Sequence, residues 1–501
     1  MNDITNKFKD FIQDIESAKY YFYKHIRNDN SSIRIYTHLD SDGLAAGAIL
    51  GKALYRENIP FQITILRQLE KEEILKIAES EFTNFLIFSD FGSGQYLELQ
   101  KELLLQDYKG HFIILDHHLP QKISNKNEFQ AIDEIHIETN PWHINPYFYG
   151  IDGSTEISGA GLSYYFAKSI NENNIDLSLV AIVGAIGDIQ NQGPNKSFIG
   201  LNALILEDAK NSGLIEIIDD LNFSPIKPLN EAIAYSSDIK LPGLTNDANK
   251  TLKFLKTLGI LMEDAEGNVR TLSNIDKDEK QKISSAIIEY ATLKLNIEPN
   301  KIIQKLIVNR YLLTNENDLE LHDAKEFSSL LNACGRTNSG SLGVAIAMGD
   351  RKNAFQQAKG SLINYKKSLL TALTWINKEE KIQQKNYIQY FFGEDVIPEN
   401  IVGTVSSMLI FSESKIIDKN KPIFGCALRV DENVYKISGR AHEKLVSKGV
   451  NLSDAIREAL IMSNLKALGG GHPPAAGTKV PVNKIDIYLE NLDKVIKKQI
   501  K

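Results

Sequence analysis

From Ile33 to about Gly200 the chain alternates short apolar, β-rich runs with helical patterns, and this rhythm constrains the fold more than any other feature. "IRIYT" precedes a helical stretch from Leu44, "FQITIL" one after Lys71 and "FLIFSD" one after Tyr96, and "HFIILD" continues the series. Short runs that stay apolar, rather than alternating with polar residues, suit strands covered on both faces. Joined by helices, such strands make a parallel α/β sheet, with ligands expected beyond their carboxyl ends.

Three of these strands end in groups suited to a metal: His38 with Asp40 and Asp42, then Asp90, then Asp116 with His117 and His118. A fourth group, Asp188, follows the small apolar run "AIVGAIG", which reads as a buried helix. Taken singly, "HLDSDG" reads as a turn with a helix N-cap, and Asp90 and Asp188 as ordinary loop or capping residues. Adjacent histidines after a strand-terminal aspartate are less ordinary, imidazole being a frequent transition-metal ligand. Four such elements in one α/β unit point to a carboxylate and histidine site for two divalent ions, since a carboxylate buried at a strand end is costly unless paired or coordinated. Asp40 and Asp42 stand two apart, so in extended chain they would face the same way, and the turn at Gly43 would bend them around a centre. The mixed oxygen and nitrogen donors suit manganese or magnesium better than structural zinc.

A chain of 501 residues exceeds what one core supports, so two or three domains are expected. Hydrophobic residues at 43% and charged residues at 24% exclude a disordered chain. The two cysteines, Cys334 and Cys426, lie far apart, which argues against a thiolate zinc site and fits a reducing cytoplasm. A net charge of -7 excludes a globally basic nucleic-acid coat while allowing a local basic groove. No run approaches membrane-spanning length, "MNDITNKFKDFIQDIES" reads as a surface helix, and "YYFYKHI" as a helix buried by its aromatic face.

Between about Asn202 and Glu320 helical stretches such as "DKDEKQKISSAIIEYATLKL" replace the alternation and the candidate ligands cease, so a helical or mixed insertion is expected. From there glycine-marked turns and short strands return in "SGSLGVAIAMGD", "PIFGCALRV", "VYKISGRA" and "LGGGHPPAAG", before an amphipathic terminal helix. The expected domains are 1–201, 202–320 and 321–501, the last a smaller α/β domain. Its "GGGH" offers close backbone approach at Gly469, Gly470 and Gly471, with N–H groups for an anion and a further donor on His472.

"THLDSDGLAAGA", "FSDFGSG", "LDHH" and "GAIGD" together resemble the four ordered motifs of the DHH phosphoesterase superfamily. "NPWHINPYFYGIDGSTEISGAGLSYYFAK", "SSLLNACGR", "GTVSSML", "ISGRAHEKLVSKGVNLSDAI" and "GGGHPPAAG" further resemble archaeal RecJ-like exonucleases of the GINS-associated type, including their DHH-associated C-terminal domain. The resemblance implies a cleft between two lobes and two divalent cations, manganese preferred over magnesium. His38, Asp40 and Asp90 would hold one ion and Asp42, Asp90, His117 and Asp188 the other, with Asp90 bridging. It also implies that Asp116 orients a histidine, that His118 faces the scissile phosphate, and that Arg440, Gly469, Gly470, Gly471, His472 and Arg336 contact substrate phosphates.

The activity implied is release of mononucleotides from an end of single-stranded DNA or RNA, in replication, repair or RNA turnover. Two alternatives stand beside it. One is a phosphodiesterase of oligonucleotides or cyclic dinucleotides. The other is a replisome scaffold similar to the DHH-like subunit of the eukaryotic replicative helicase, its insertion docked on a GINS-like partner. The presence of every expected acidic ligand disfavours a purely structural role.

Overall fold

The computed structural model describes residues 8–26, 32–80, 83–106, 108–120, 142–236, 238–412, 414, 416–467 and 469–500. The start of the N-terminal stretch, Asn140 and Pro141 of "NPWHINPYFYG" and Leu468 of "LGGGH" lie outside the described residues. The chain forms two compact units, Met1–Lys359 and Gly360–Lys501.

In the first unit a surface helix α1 (Lys9–Ile26) precedes β1 (Ile33–His38), α2 (Ser41–Arg56), β2 (Phe61–Leu66), α3 (Lys71–Ser80), β3 (Phe85–Ser89), α4 (Tyr96–Leu105), β4 (His111–Leu115) and β5 (Trp142–Ile144). The strands form a parallel sheet in the order β2-β1-β3-β4-β5. Alternate residues of each strand enter opposite cores. Ile35, Phe85, Ile87 and Ile113 pack with Phe11 and Phe22 of α1, and Leu86, Phe88, Phe112 and Ile114 with Ile77 and Leu99 of α3 and α4. Burial on both faces is what continuous apolar strands require. The strand order reverses between β1 and β3, and the crevice beyond the carboxyl ends at such a switch point is where open α/β sheets bind ligands.

Helices α5 (Gly159–Ile170) and α6 (Ser178–Gly187) pack on α2. The middle of the chain is mixed rather than purely helical: β6 (Ile215–Leu221) pairs antiparallel with β7 (Ile307–Leu313), and the helices between them close a core around Leu229, Leu255, Ile283 and Ile287. The longest of these, α7 (Lys277–Leu295), begins at a capping box in which Asp276 and Glu279 exchange side-chain to backbone bonds.

One sequence expectation is corrected here. "SGSLGVAIAMGD" is not a strand but a helix, α9 (Gly340–Ala347), following α8 (Ala324–Arg336), and both pack on α2 within the first unit. Its small residues serve close packing: a Cβ on Gly340 would lie 2.8 Å from Ile65 Cδ1, and one on Gly343 2.9 Å from Leu44 Cδ1. A short apolar run does not distinguish a buried helix from a strand by periodicity alone. Residues 321–359, grouped from the sequence with the C-terminal domain, therefore lie in the first unit.

Helix α10 (Asn353–Lys378) crosses the unit boundary. Beyond it, β8 (Gln383–Gln384), β9 (Gln389–Phe392), α11 (Glu399–Ile410), β10 (Ile423–Arg429), β11 (Val434–Arg440), α12 (Leu452–Met462), β12 (Gly469–His472), β13 (Ala475–Pro481) and the terminal α13 (Ile485–Gln499) follow. The strands make a mixed sheet ordered β12-β13-β11-β10-β9-β8. "GGGH" is thus an edge strand. Cys334 and Cys426 are free and buried, and burial pushes the Cys334 thiol up to about 12, leaving it unreactive.

Candidate metal centre

The carboxyl ends of β1, β3 and β4 and the end of α6 bring His38, Asp40, Asp42, Asp90, His117, His118 and Asp188 together. Three overlapping groups each have ligand atoms within 4.8 Å of one another: His38, Asp40 and Asp90; Asp42, His117 and Asp188; and Asp90, His117 and His118.

At β1, Asp40 does two jobs. Its Oδ1 accepts from the Gly43 N–H at 3.0 Å and caps α2, while Oδ2 lies 3.0 Å from His38 Nδ1. The helix begins at Ser41, earlier than the run from Leu44 suggested, so Asp42 sits in its first turn and does not share an extended face with Asp40. Asp42 instead accepts from the N–H groups of Gly159 (2.7 Å) and Ala160 (3.0 Å) at the start of α5. A helix N-terminus offers unpaired donors and a favourable dipole, so it holds this buried carboxylate in place.

Asp90 follows β3 with φ of 64°, a left-handed conformation that a side chain other than glycine seldom adopts. It is 2% exposed, and no described residue donates an aligned hydrogen bond to either of its oxygens. His38 Nδ1 stands 3.5 Å from one oxygen and His117 Nε2 3.1 Å from the other. Gly159 passes so close that a Cβ there would lie 2.6 Å from Asp90 Oδ1.

The tautomer of His117 follows from its partners. Nδ1 lies 2.6 Å from the Gly153 carbonyl, an acceptor only, and so must carry a hydrogen. Nε2 therefore turns toward carboxylates: Asp90 at 3.1 Å, with Asp42 and Asp188 at 3.7 Å. A backbone carbonyl fixing one ring nitrogen while the other faces the site is the usual arrangement of a metal-binding histidine. Gln190 completes this layer, donating to Asp188 Oδ2 and the Gly153 carbonyl and accepting from Asn202.

Asp116 is fully buried and accepts from the backbone N–H groups of Ser93 and His118; His118 Nδ1 lies 2.8 Å from its Oδ1. Half of the His118 side chain remains exposed.

Proton affinities follow the crowding of charge. Burial disfavours the His38 cation, but the charge and hydrogen bond of Asp40, joined by Asp90, raise its pKa to about 10. Burial, the Asp90 charge and then Asp188 hold Asp42 well above the ordinary carboxylate range, with His117 opposing. Burial also raises Asp188, again against His117. His117 is raised against its own burial by Asp188, Asp90 and Asp42. The cluster thus retains protons where a divalent ion would supply positive charge, and the unaligned oxygens of Asp90 between two imidazoles fit a shared carboxylate ligand.

Several positioning groups carried no individual signal in the sequence. Gly153, Gly159 and Ala160 belong to "GIDGSTEISGAG", and Asn332 and Gly335 to "SSLLNACGR". Asn332 Oδ1 accepts from the Ser41 N–H at 3.0 Å, so α8 braces the loop that carries Asp40. Burial opposes ionisation of Asp40, but His38, then the Gly43 N–H and then Arg336, at the end of the same helix, hold it below the usual carboxylate range.

The remaining predicted residues lie in the second unit. Arg440 ends β11 and is paired in register with Ala475, which is paired with His472. Directly opposed residues share a face, so Arg440 and His472 lie on one face about two strand spacings, roughly 10 Å, apart. Arg440 Nε donates to Ser407 of α11 at 2.8 Å. His472 is exposed, and Gly471 has φ of 138°, open to glycine.

The DHH-CID domain model matches residues 224–307, from just past β6 to the first residue of β7, and the DHHA1 domain model matches residues 386–498 of the second unit. An uncharacterized protein of Methanocaldococcus jannaschii is 31% identical over 493 residues, which cover 98% of this chain and 99% of that protein. RecJ from Thermus thermophilus, solved in complex with Mn2+, has a similar fold, with a TM-score of 0.56 and 16% identity over 97% of this chain and 55% of that one. This chain thus spans about half the length of that RecJ. CDC45 from Entamoeba histolytica is also similar in fold, with a TM-score of 0.64 and 13% identity over 96% of this chain and 99% of that protein. The chain belongs to one family with that Methanocaldococcus jannaschii protein and carries the DHH-CID and DHHA1 domains of the DHH superfamily. Among the described residues no helix is long and apolar enough to cross a membrane.

Proposed function

We propose that this protein is a divalent-metal-dependent phosphodiesterase that removes mononucleotides from an end of single-stranded DNA or RNA. The observation that carries this reading is Asp90, a buried carboxylate without aligned donors, set between His38 and His117 where two groups of ligands meet. His38, Asp40 and Asp90 are assigned to one cation and Asp42, Asp90, His117 and Asp188 to the other, manganese or magnesium. Two such ions, when bound, activate water and offset charge on the phosphate and leaving oxygens.

The chain's own groups do the rest. Asp116 holds His118 by Nδ1, leaving Nε2 to donate to the leaving oxygen of the substrate. Arg336 beside Asp40, and Arg440, His472 and the backbone of Gly469, Gly470 and Gly471 on the second unit, supply phosphate contacts. Residues 202–320, which include the DHH-CID match, are assigned to binding a GINS-like replication factor, in keeping with the sequence resemblance to GINS-associated nucleases. End-labelled DNA and RNA strands incubated with the protein and manganese test the reading. Mononucleotide release from one end is expected. Intact strands of both kinds, with the protein tightly bound to GINS, would replace it with a scaffold role.

A further inference from the structure

Behind Asp116 and His118 lies a layer of polar side chains whose hydrogen bonds can be assigned one after another. Ser93, Asn145 and Asp116 are each fully buried. Asn145 Oδ1 accepts from the Tyr147 N–H at 3.0 Å, which fixes the orientation of the amide. Its Nδ2 donates twice, to the His118 carbonyl and to Ser93 Oγ, each at 2.8 Å. Ser93 Oγ already accepts one hydrogen, so its own points to its remaining neighbour, His143 Nε2, at 2.7 Å. His143 must then be neutral, with its hydrogen on Nδ1, and its ring stacks on Tyr96 with centroids 4.9 Å apart. Burial, which lowers the His143 pKa to about 4, is consistent with that state.

The layer grips the Asp116–His118 pair at both ends. The Ser93 N–H holds Asp116 Oδ2 at 2.8 Å, Asn145 holds the His118 carbonyl, and Asp116 Oδ1 meets both the backbone N–H and the Nδ1 of His118. Buried polar groups this completely satisfied restrict geometry as well as stabilise it.

We propose that His143, Ser93 and Asn145 are positioning residues that fix the Asp116–His118 pair, so that His118 presents Nε2–H to the leaving oxygen of a phosphodiester. The proposal rests on the phosphodiesterase reading above. In the step it serves, water oxygen bonds to phosphorus and releases a proton to solvent. The bond from phosphorus to the leaving oxygen breaks with its electron pair on that oxygen, which takes the hydrogen that His118 offers. None of the three positioning residues touches the substrate.

The test compares two substrates in manganese: a dinucleotide, whose alkoxide leaving group needs that hydrogen, and the p-nitrophenyl ester of thymidine 5′-monophosphate, whose phenolate does not. Asn145→Ala is expected to lower kcat on the dinucleotide by about tenfold or more with KM little changed. It should leave turnover of the nitrophenyl ester nearly intact. His143→Phe keeps a ring against Tyr96 but removes the acceptor, and should give the same split if Asn145→Ala does not fold. His143→Gln, which restores an acceptor, should recover most of the loss. Equal losses on both substrates, or none on either, in an active protein would overturn the positioning role alone. Wild-type protein inactive on both would remove the phosphodiesterase reading together with it.

Discussion

At the scale of single residues, the centre is a set of carboxylates held where charge is expensive. Asp90 is the extreme case, because the carboxylates of Asp40, Asp42 and Asp188 accept from Gly43, Gly159 and Gln190 while its own oxygens have no donor in alignment. Asp90→Asn should therefore raise the thermal midpoint of the metal-free protein, by roughly 1–3 kcal/mol of stability, while abolishing hydrolysis. A destabilised but active variant would contradict this. The raised pKa values set a further expectation. His38 binds protons in the fold up to pH about 10, against an ordinary value of 6.5, so its contribution to stability is full below pH 6.5 and is lost as pH rises toward 10. Asp42 and Asp188, also raised, act in the same direction. Metal-free protein should lose stability as pH climbs through this range. Manganese binding should release protons and tighten with pH. Titration calorimetry in buffers of different ionisation enthalpy reads that release, and heats independent of buffer would refute it.

At the scale of elements, the legibility of the sequence follows physical cause. Strands buried on both faces announced themselves as apolar runs, and the strand-end residues His38, Asp90 and Asp116 to His118 were readable because the chain places them where strands stop. The braces were not, because they act through backbone or through missing atoms. Ala160 contributes an N–H, Gly153 a carbonyl, and Gly159 the absence of a Cβ. "HLDSDG" shows why one motif was ambiguous: Asp40 caps a helix with one oxygen and faces His38 with the other. The strand expected at "SGSLGVAIAMGD" failed because its small residues fit α9 against α2, a contact that no local pattern encodes. Helix α8 supplies a sharper test. A Cβ at Gly335 would fall 1.7 Å from the Leu39 carbonyl oxygen, inside the loop between His38 and Asp40. Gly335→Ala should cost about 1–3 kcal/mol through overpacking and weaken metal binding. Unchanged melting and affinity would mean that α8 does not set this loop.

At the scale of the whole molecule, the two compact units divide the proposed work, with every assigned metal ligand in residues 1–359 and the glycine-rich edge strand in residues 360–501. The second unit has its own cores, around Phe424, Ile456 and Tyr488 on one side of its sheet and Phe391, Val405 and Leu409 on the other. Expressed alone, residues 360–501 should unfold cooperatively, and a broad, non-cooperative melt would show dependence on the first unit. The central claim is the proposal that Asp90 joins two cation sites in the first unit. Anomalous diffraction from crystals soaked in manganese tests it most directly. Two peaks on either side of Asp90 are predicted, one against His38 and Asp40 and the other against Asp42, His117 and Asp188. A single peak, or two peaks with Asp90 bound to neither, would contradict the account.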